Sequence, residues 1–120
     1  MAKRTGPENK YLKDLIIELK KLSKEKNVML WKRIAYELEK PTRKRREVNI
    51  SRINKYTKEG ETALVPGKVL SMGELDKKIT ISGWKFSRSA EEKINKIGNA
   101  ITINELMKKN PEGKKVRIIG

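Results

Sequence analysis

Along the first quarter of the chain, apolar residues recur at spacings of three and four. From Asn9 onward, Leu12, Leu15, Ile16, Leu19 and Leu22 follow this rhythm, with Lys13, Lys20, Lys21 and Lys24 between them. Such a period puts the first set on one helical face and the lysines on the other, which predicts an amphipathic helix with a lysine-rich outer side. Asn27 stands where it can cap a second helix, whose apolar stripe includes Val28, Trp31, Ala35 and Leu38. Pro41 ends that helix, because the residue before a proline is pushed out of the helical region. Trp31 keeps the core spacing of the stripe and reads as a packing tryptophan rather than a base-stacking one. The two helices are expected to pack as a hairpin or corner.

Val48, Ile50, Ile53 and Tyr56 mark a further short helix of weak periodicity, with Asn49 as its cap. The texture then changes, as apolar positions become β-branched and segments shorten between glycines and prolines. Thr62 to Leu70 reads as an extended segment broken at Pro66-Gly67, and Met72-Gly73-Glu74 as a turn. Ile79, Ile81, Trp84 and Phe86 predict a strand whose alternation slips by one residue at Gly83. Ser89-x-x-Glu92 reads as a capping box opening a helix through Ala90, Ile94 and Ile97, ended by Gly98. Ala100 to Ile103 is a short strand, and Thr102-x-x-Glu105 caps a short helix through Leu106 and Met107. Asn110-Pro111-Glu112-Gly113 is a turn, and Val116 to Ile119 the closing strand. The expected fold is α/β, with N-terminal helices followed by irregularly wound short β and α units. Residues 1–8 are expected to form a basic arm and residues 9–120 a single domain, helical and basic over 9–58, mixed strand and helix over 59–120.

Charge changes what this fold is expected to meet. The 120 residues carry 30 Lys and Arg against 15 Asp and Glu, a net charge of +15. Charged residues make up 38% of the chain, compared with about 25% in average domains. The excess leans toward the first half, where residues 1–60 hold 18 basic and 8 acidic side chains against 12 and 7 over residues 61–120. Cations that meet phosphates release condensed counterions, so this balance suits a polyphosphate partner. RNA, DNA and anionic membranes share that chemistry. No apolar run approaches the roughly 18 residues of a membrane span, and Met1 to Gly6 lacks the apolar stretch of a secretory signal. The chain is therefore expected to be soluble and intracellular, with no membrane partner.

Composition also narrows the chemistry. There is no cysteine and no histidine, which removes disulfides, thiolate nucleophiles, thiolate metal sites and the commonest base near neutral pH. Adjacent acids occur at Glu91-Glu92, in the first turn of an expected helix, where the helix dipole stabilises negative charge. Gly67, Gly73 and Gly83 form no phosphate-cradling spacing. No catalytic residue, cofactor, metal or small-molecule substrate is expected, and the chain does not read as an enzyme.

The sharpest functional feature is Lys40-Pro41-Thr42-Arg43-Lys44-Arg45-Arg46, with five cations and no acid. Arginine grips phosphate bidentately and stacks on bases, so Arg43, Lys44, Arg45 and Arg46, with Lys40, are candidate RNA contacts. Arg52 and Lys55 extend the stretch. Lys68 beside Pro66-Gly67, Lys85 and Arg88 near a strand end, and Lys3 and Arg4 in the arm complete the set. A DNA-binding alternative threads Leu30 to Leu38, a basic turn and Val48 to Tyr56 as a helix-turn-helix. Against it, the loop from Glu39 to Glu47 is long for that motif, and the strand-rich second half is left without a role.

Read in order, several segments form a recognisable series. They are Leu38-Glu39-Lys40-Pro41, Val48-Asn49, Arg52-Ile53, Glu61-Thr62, Val65-Pro66-Gly67-Lys68-Val69-Leu70, Phe86-Ser87, Ala90, Lys93-Ile94, Gly98, Asn110-Pro111-Glu112-Gly113 and Val116-Arg117-Ile118. This series resembles the archaeal and eukaryotic large-subunit ribosomal protein eighteen-e family, related to bacterial large-subunit ribosomal protein fifteen. The short ends look more like the archaeal form. The resemblance implies an α/β fold and a noncatalytic place in the cytoplasmic large ribosomal subunit. Its implied partners are large-subunit ribosomal RNA and neighbouring large-subunit proteins. It supplies no short RNA-reading motif, so the candidate contacts rest on charge and position.

Overall fold

The computed structural model describes residues 10–40 and 46–119, with Arg46 described in its backbone alone. The elements follow in the order α1 (Lys10–Lys26), α2 (Met29–Leu38), β1 (Arg46–Asn49), α3 (Ile50–Tyr56), β2 (Thr62–Leu70), β3 (Thr80–Phe86), α4 (Arg88–Ile97), β4 (Asn99–Thr102), α5 (Ile103–Lys109) and β5 (Val116–Ile118). The fold is α/β, as expected. The N-terminal arm lies outside the described residues.

Helix α1 buries Leu12, Leu15, Ile16 and Leu19, the stripe its spacing predicts. It stops at Asn27, whose φ of 57° is a left-handed conformation that asparagine tolerates better than most residues. Beyond it, the Val28 N–H returns to the Ser23 carbonyl at 3.1 Å, closing the last turn in a Schellman arrangement. Asn27 therefore terminates α1 rather than capping α2, whose N-cap position is held by Val28 with no side-chain acceptor. Trp31 is fully buried, and its Nε1–H donates to the Pro111 carbonyl at 2.7 Å. The packing role is borne out, and the bond ties the 110–113 turn to α2.

All five strands pair in parallel. β2 lies at the centre with β3 along one edge. Its other edge is shared, β5 pairing with Thr62–Leu64 and β1 with Gly67–Leu70, while β4 lies outside β3. Parallel neighbours need crossovers. α3 makes the one between β1 and β2, residues 71–79 that between β2 and β3, and α4 that between β3 and β4.

Strand β1 corrects the helix expected to include Val48. Val48 is buried and pairs with Val69, and α3 begins only at Ile50. Four residues are too few to separate a period of two from a period near 3.6. The helix-turn-helix alternative loses its frame with this correction, since the segment leading into α3 belongs to the sheet. Asn49 stands at the N-cap position of α3, but its Oδ1 accepts the Met72 N–H at 3.1 Å instead of capping the helix. Helix α4 is capped by Ser87, whose Oγ accepts the Ala90 N–H at 3.2 Å, and not by Ser89 as expected. The Thr102–Glu105 capping box forms as expected, at 3.1 Å and 2.8 Å.

Two helical layers cover the sheet. On one face α1, α2 and α5 pack over Leu64 and Ile101. On the other, α3, α4 and the buried Leu75 and Ile79 of the 71–79 crossover pack over Ala63, Val65, Val69 and Ile81. Neighbouring residues Ala63, Leu64 and Val65 thus serve opposite layers and are all fully buried, as a covered parallel sheet requires. The expected slip in β3 is present. Val65 pairs with Gly83 and Lys68 with Lys85, so Pro66 and Gly67 together oppose Trp84. The extra residue is on β2, where Pro66 has no N–H to donate to the ladder. Ile81 and Phe86 can both face the α3/α4 layer, an odd spacing, because the alternation slips there. Gly73, at φ 99°, packs so closely on Ser51 that a Cβ would overlap its side chain.

Candidate nucleic-acid interface

Because the strands run parallel, their carboxyl ends emerge on one side. There Glu47, Lys68 and Lys85 occupy neighbouring register positions across β1, β2 and β3. Adjacent strands lie about 4.8 Å apart, so two lysines side by side repel unless an anion lies between or over them. Glu47 relieves this on one flank only. Lys68 and Lys85 are exposed, and Lys85 Nζ stands 6.0 Å from the Trp84 ring centre, at the outer limit of a cation–π contact. The Ser87 N–H donates to the Val69 carbonyl at 3.0 Å, carrying the chain across the end of β2 so that Arg88 opens α4 at this same edge. A cation in the first turn of a helix opposes the helix dipole. Among the described residues Arg88 and Lys68 have no ion pair.

A second group lies on α3. Arg52 and Lys55 are exposed and flank the Tyr56 ring, with Cζ and Nζ at 5.1 Å and 5.3 Å from its centre. Exposed contacts of this kind contribute only about 0.5–1 kcal/mol, so a phosphate can draw either cation away. Lys40 differs, since its Nζ lies 3.1 Å from Glu37 Oε1 and 5.5 Å from the Tyr36 ring centre. It is tied to α2 and partly neutralised. Arg46 pairs with Gly67, one row from the Lys68–Lys85 pair, so the basic run feeds into the same sheet edge. Lys3, Arg4, Arg43, Lys44 and Arg45 lie outside the described residues.

Three cations outside the expected contacts are held by the protein itself. Lys77 Nζ donates to the carbonyls of Asn54 and Thr57, at 2.5 Å and 3.0 Å, closing the last turn of α3. Lys93 Nζ donates to the carbonyls of Ser71 and Gly73, both at 2.9 Å, and lies 3.7 Å from Glu74. Arg117 grips Glu61 with two bonds of 2.9 Å. Those bonds, aided by the Lys58 N–H at 2.9 Å, lower the Glu61 carboxyl to about 2. The signal for Lys93 is its place beside Ala90 and Ile94, the buried side of α4. Nothing local marks Lys77 or Arg117, whose partners are 20 or more residues away.

The arrangement is that of a small basic α/β protein presenting unneutralised cations at one end of a parallel sheet. Residues 18–102 match the family model that describes the ribosomal proteins 50S-L15 and 50S-L18e and their 60S counterpart, and the chain belongs to this family. Within it, the chain is similar to the large ribosomal subunit protein eL18 of several archaea. It is 44% identical to that of Methanoregula boonei and 46% identical to that of Methanosphaerula palustris, with 99% of each chain covered. Identity to the Haloarcula marismortui protein is 42%, over 92% of this chain and 96% of that one. These relatives agree with the resemblance read between Leu38 and Ile118.

Proposed function

We propose that this chain is a structural, noncatalytic constituent of the large ribosomal subunit in the cytoplasm, binding large-subunit ribosomal RNA through its basic surfaces. Neighbouring large-subunit proteins are its other partners. Membership of the ribosomal family supports the assembly. The observation that carries the RNA reading is the Lys68–Lys85 pair, two like charges side by side in a ladder with Glu47 on one flank only. Such a pair is unfavourable in the isolated protein and favourable under a phosphate backbone. Arg88, the exposed cations of α3 and the run ending at Arg46 extend the same chemistry.

Sedimentation tests the assembly, since the tagged chain should cofractionate with large subunits on a sucrose gradient at moderate salt. Titration against large-subunit ribosomal RNA tests the contact. Affinity should fall steeply with salt, at about 0.7–0.9 logarithmic units per neutralised phosphate. A slope equal to one or two phosphates would remove the interface, and equal competition by a DNA duplex would leave only a general nucleic-acid binder.

A further inference from the structure

Tyr56 differs from the other exposed aromatic side chains in carrying two cations that no acid neutralises among the described residues. Its side chain is 46% exposed, with Arg52 one turn before it and Lys55 adjacent. The helix beneath is firmly held. Ile50 and Ile53 are fully buried, and Lys77 fastens the carbonyls of Asn54 and Thr57 on either side of the tyrosine. The ring is therefore presented on a rigid support at small entropic cost to a ligand.

We propose that Tyr56 is a stacking platform for one unpaired base of RNA, with Arg52 and Lys55 taking the phosphates that flank that nucleotide. This deepens the RNA-binding reading and rests on it. Both cations stand more than 5 Å from the ring centre, a loose contact. An incoming nucleotide brings a base for the ring and phosphates for the cations, so each group exchanges a weak partner for a stronger one. A phosphate alone would leave the tyrosine unused. An apolar protein surface would bury two cations without partners, which is unfavourable. A paired base has both faces covered within its helix, whereas a splayed one offers a face.

The test uses the full chain with a mixed-sequence single-stranded RNA and a perfectly paired RNA duplex, titrated over a series of salt concentrations. Tyr56→Leu keeps an apolar side chain over the buried part of the site, and its melting curve checks the fold. Its affinity for the single strand should fall by about 5- to 100-fold with an unchanged salt slope, because stacking releases no counterions. Tyr56→Phe should stay near wild type, and duplex affinity should not respond to either change. Arg52→Ala should weaken binding and reduce the slope by about 1. If wild type binds and Tyr56→Leu binds the single strand equally well, or loses duplex affinity to the same extent, the platform is wrong while RNA binding stands. If wild type binds neither RNA, both fall together.

Discussion

The two ends of the parallel sheet treat positive charge in opposite ways. At the amino end, Arg117 of β5 is gripped by Glu61 just before β2, and Lys77 closes α3 through the carbonyls of Asn54 and Thr57. At the carboxyl end, Lys68, Lys85 and Arg88 stand exposed, with Glu47 the acid in their row. Lys93 is the exception there, since it is bound to the crossover after β2. The residue types are the same at both ends, so net charge does not locate the interface. What locates it is which cations the protein has already partnered.

The largest expected effect comes from removing the unpartnered set. Lys68→Ala, Lys85→Ala and Arg88→Ala combined should weaken ribosomal RNA binding by about 10- to 100-fold and lower the salt slope by roughly 2 to 3. The melting temperature should hold or rise, because a like-charge pair and a cation opposing the α4 dipole are gone. Unchanged affinity would erase the distinction between the two ends. Lys93→Met should do the reverse, lowering stability by about 1–2 kcal/mol in urea denaturation as two carbonyls lose a charged donor, with RNA affinity intact. A variant that unfolds no more easily but binds RNA more weakly would move Lys93 to the interface.

The smallest effect sharpens the amino end. Glu61 is held below its ordinary value of 4.5, at about 2, first by Arg117 and then by the Lys58 N–H. A depressed carboxyl stabilises the fold above its ordinary value and loses that contribution as pH falls through the lowered one. Wild type should therefore lose stability between about pH 4.5 and 2 more steeply than Glu61→Gln. Parallel acid-denaturation curves would show that the Arg117 bond does not hold β5.

Much of the framework was legible because its signals are local. Helix α1 repeats its apolar spacing over several turns, and the Thr102–Glu105 box needs only its own four residues. The slip near Gly83 showed in the spacing of Ile81, Trp84 and Phe86. Strand β1 was not legible, since Val48 is flanked by Glu47 and Asn49 and is buried only because β2 and α3 enclose it. The asparagines and serines misled for one reason. Asn27, Asn49, Ser87 and Ser89 all have side chains able to cap a helix, and the backbone around each decides whether it does.

By itself the sequence determined the helical hairpin, the alternation of short strands and helices, the absence of histidine and cysteine chemistry, and the surplus of positive charge. Each depends on composition or on neighbours within a few residues. Tertiary structure alone decided which cations remain unpartnered. Neutralisation depends on distance in space, and Glu61 and Arg117, separated by 56 positions, meet only when β5 pairs with β2. Lys68 and Lys85 likewise become neighbours only through the register of β2 and β3, and the charge of either residue alone does not reveal that pairing.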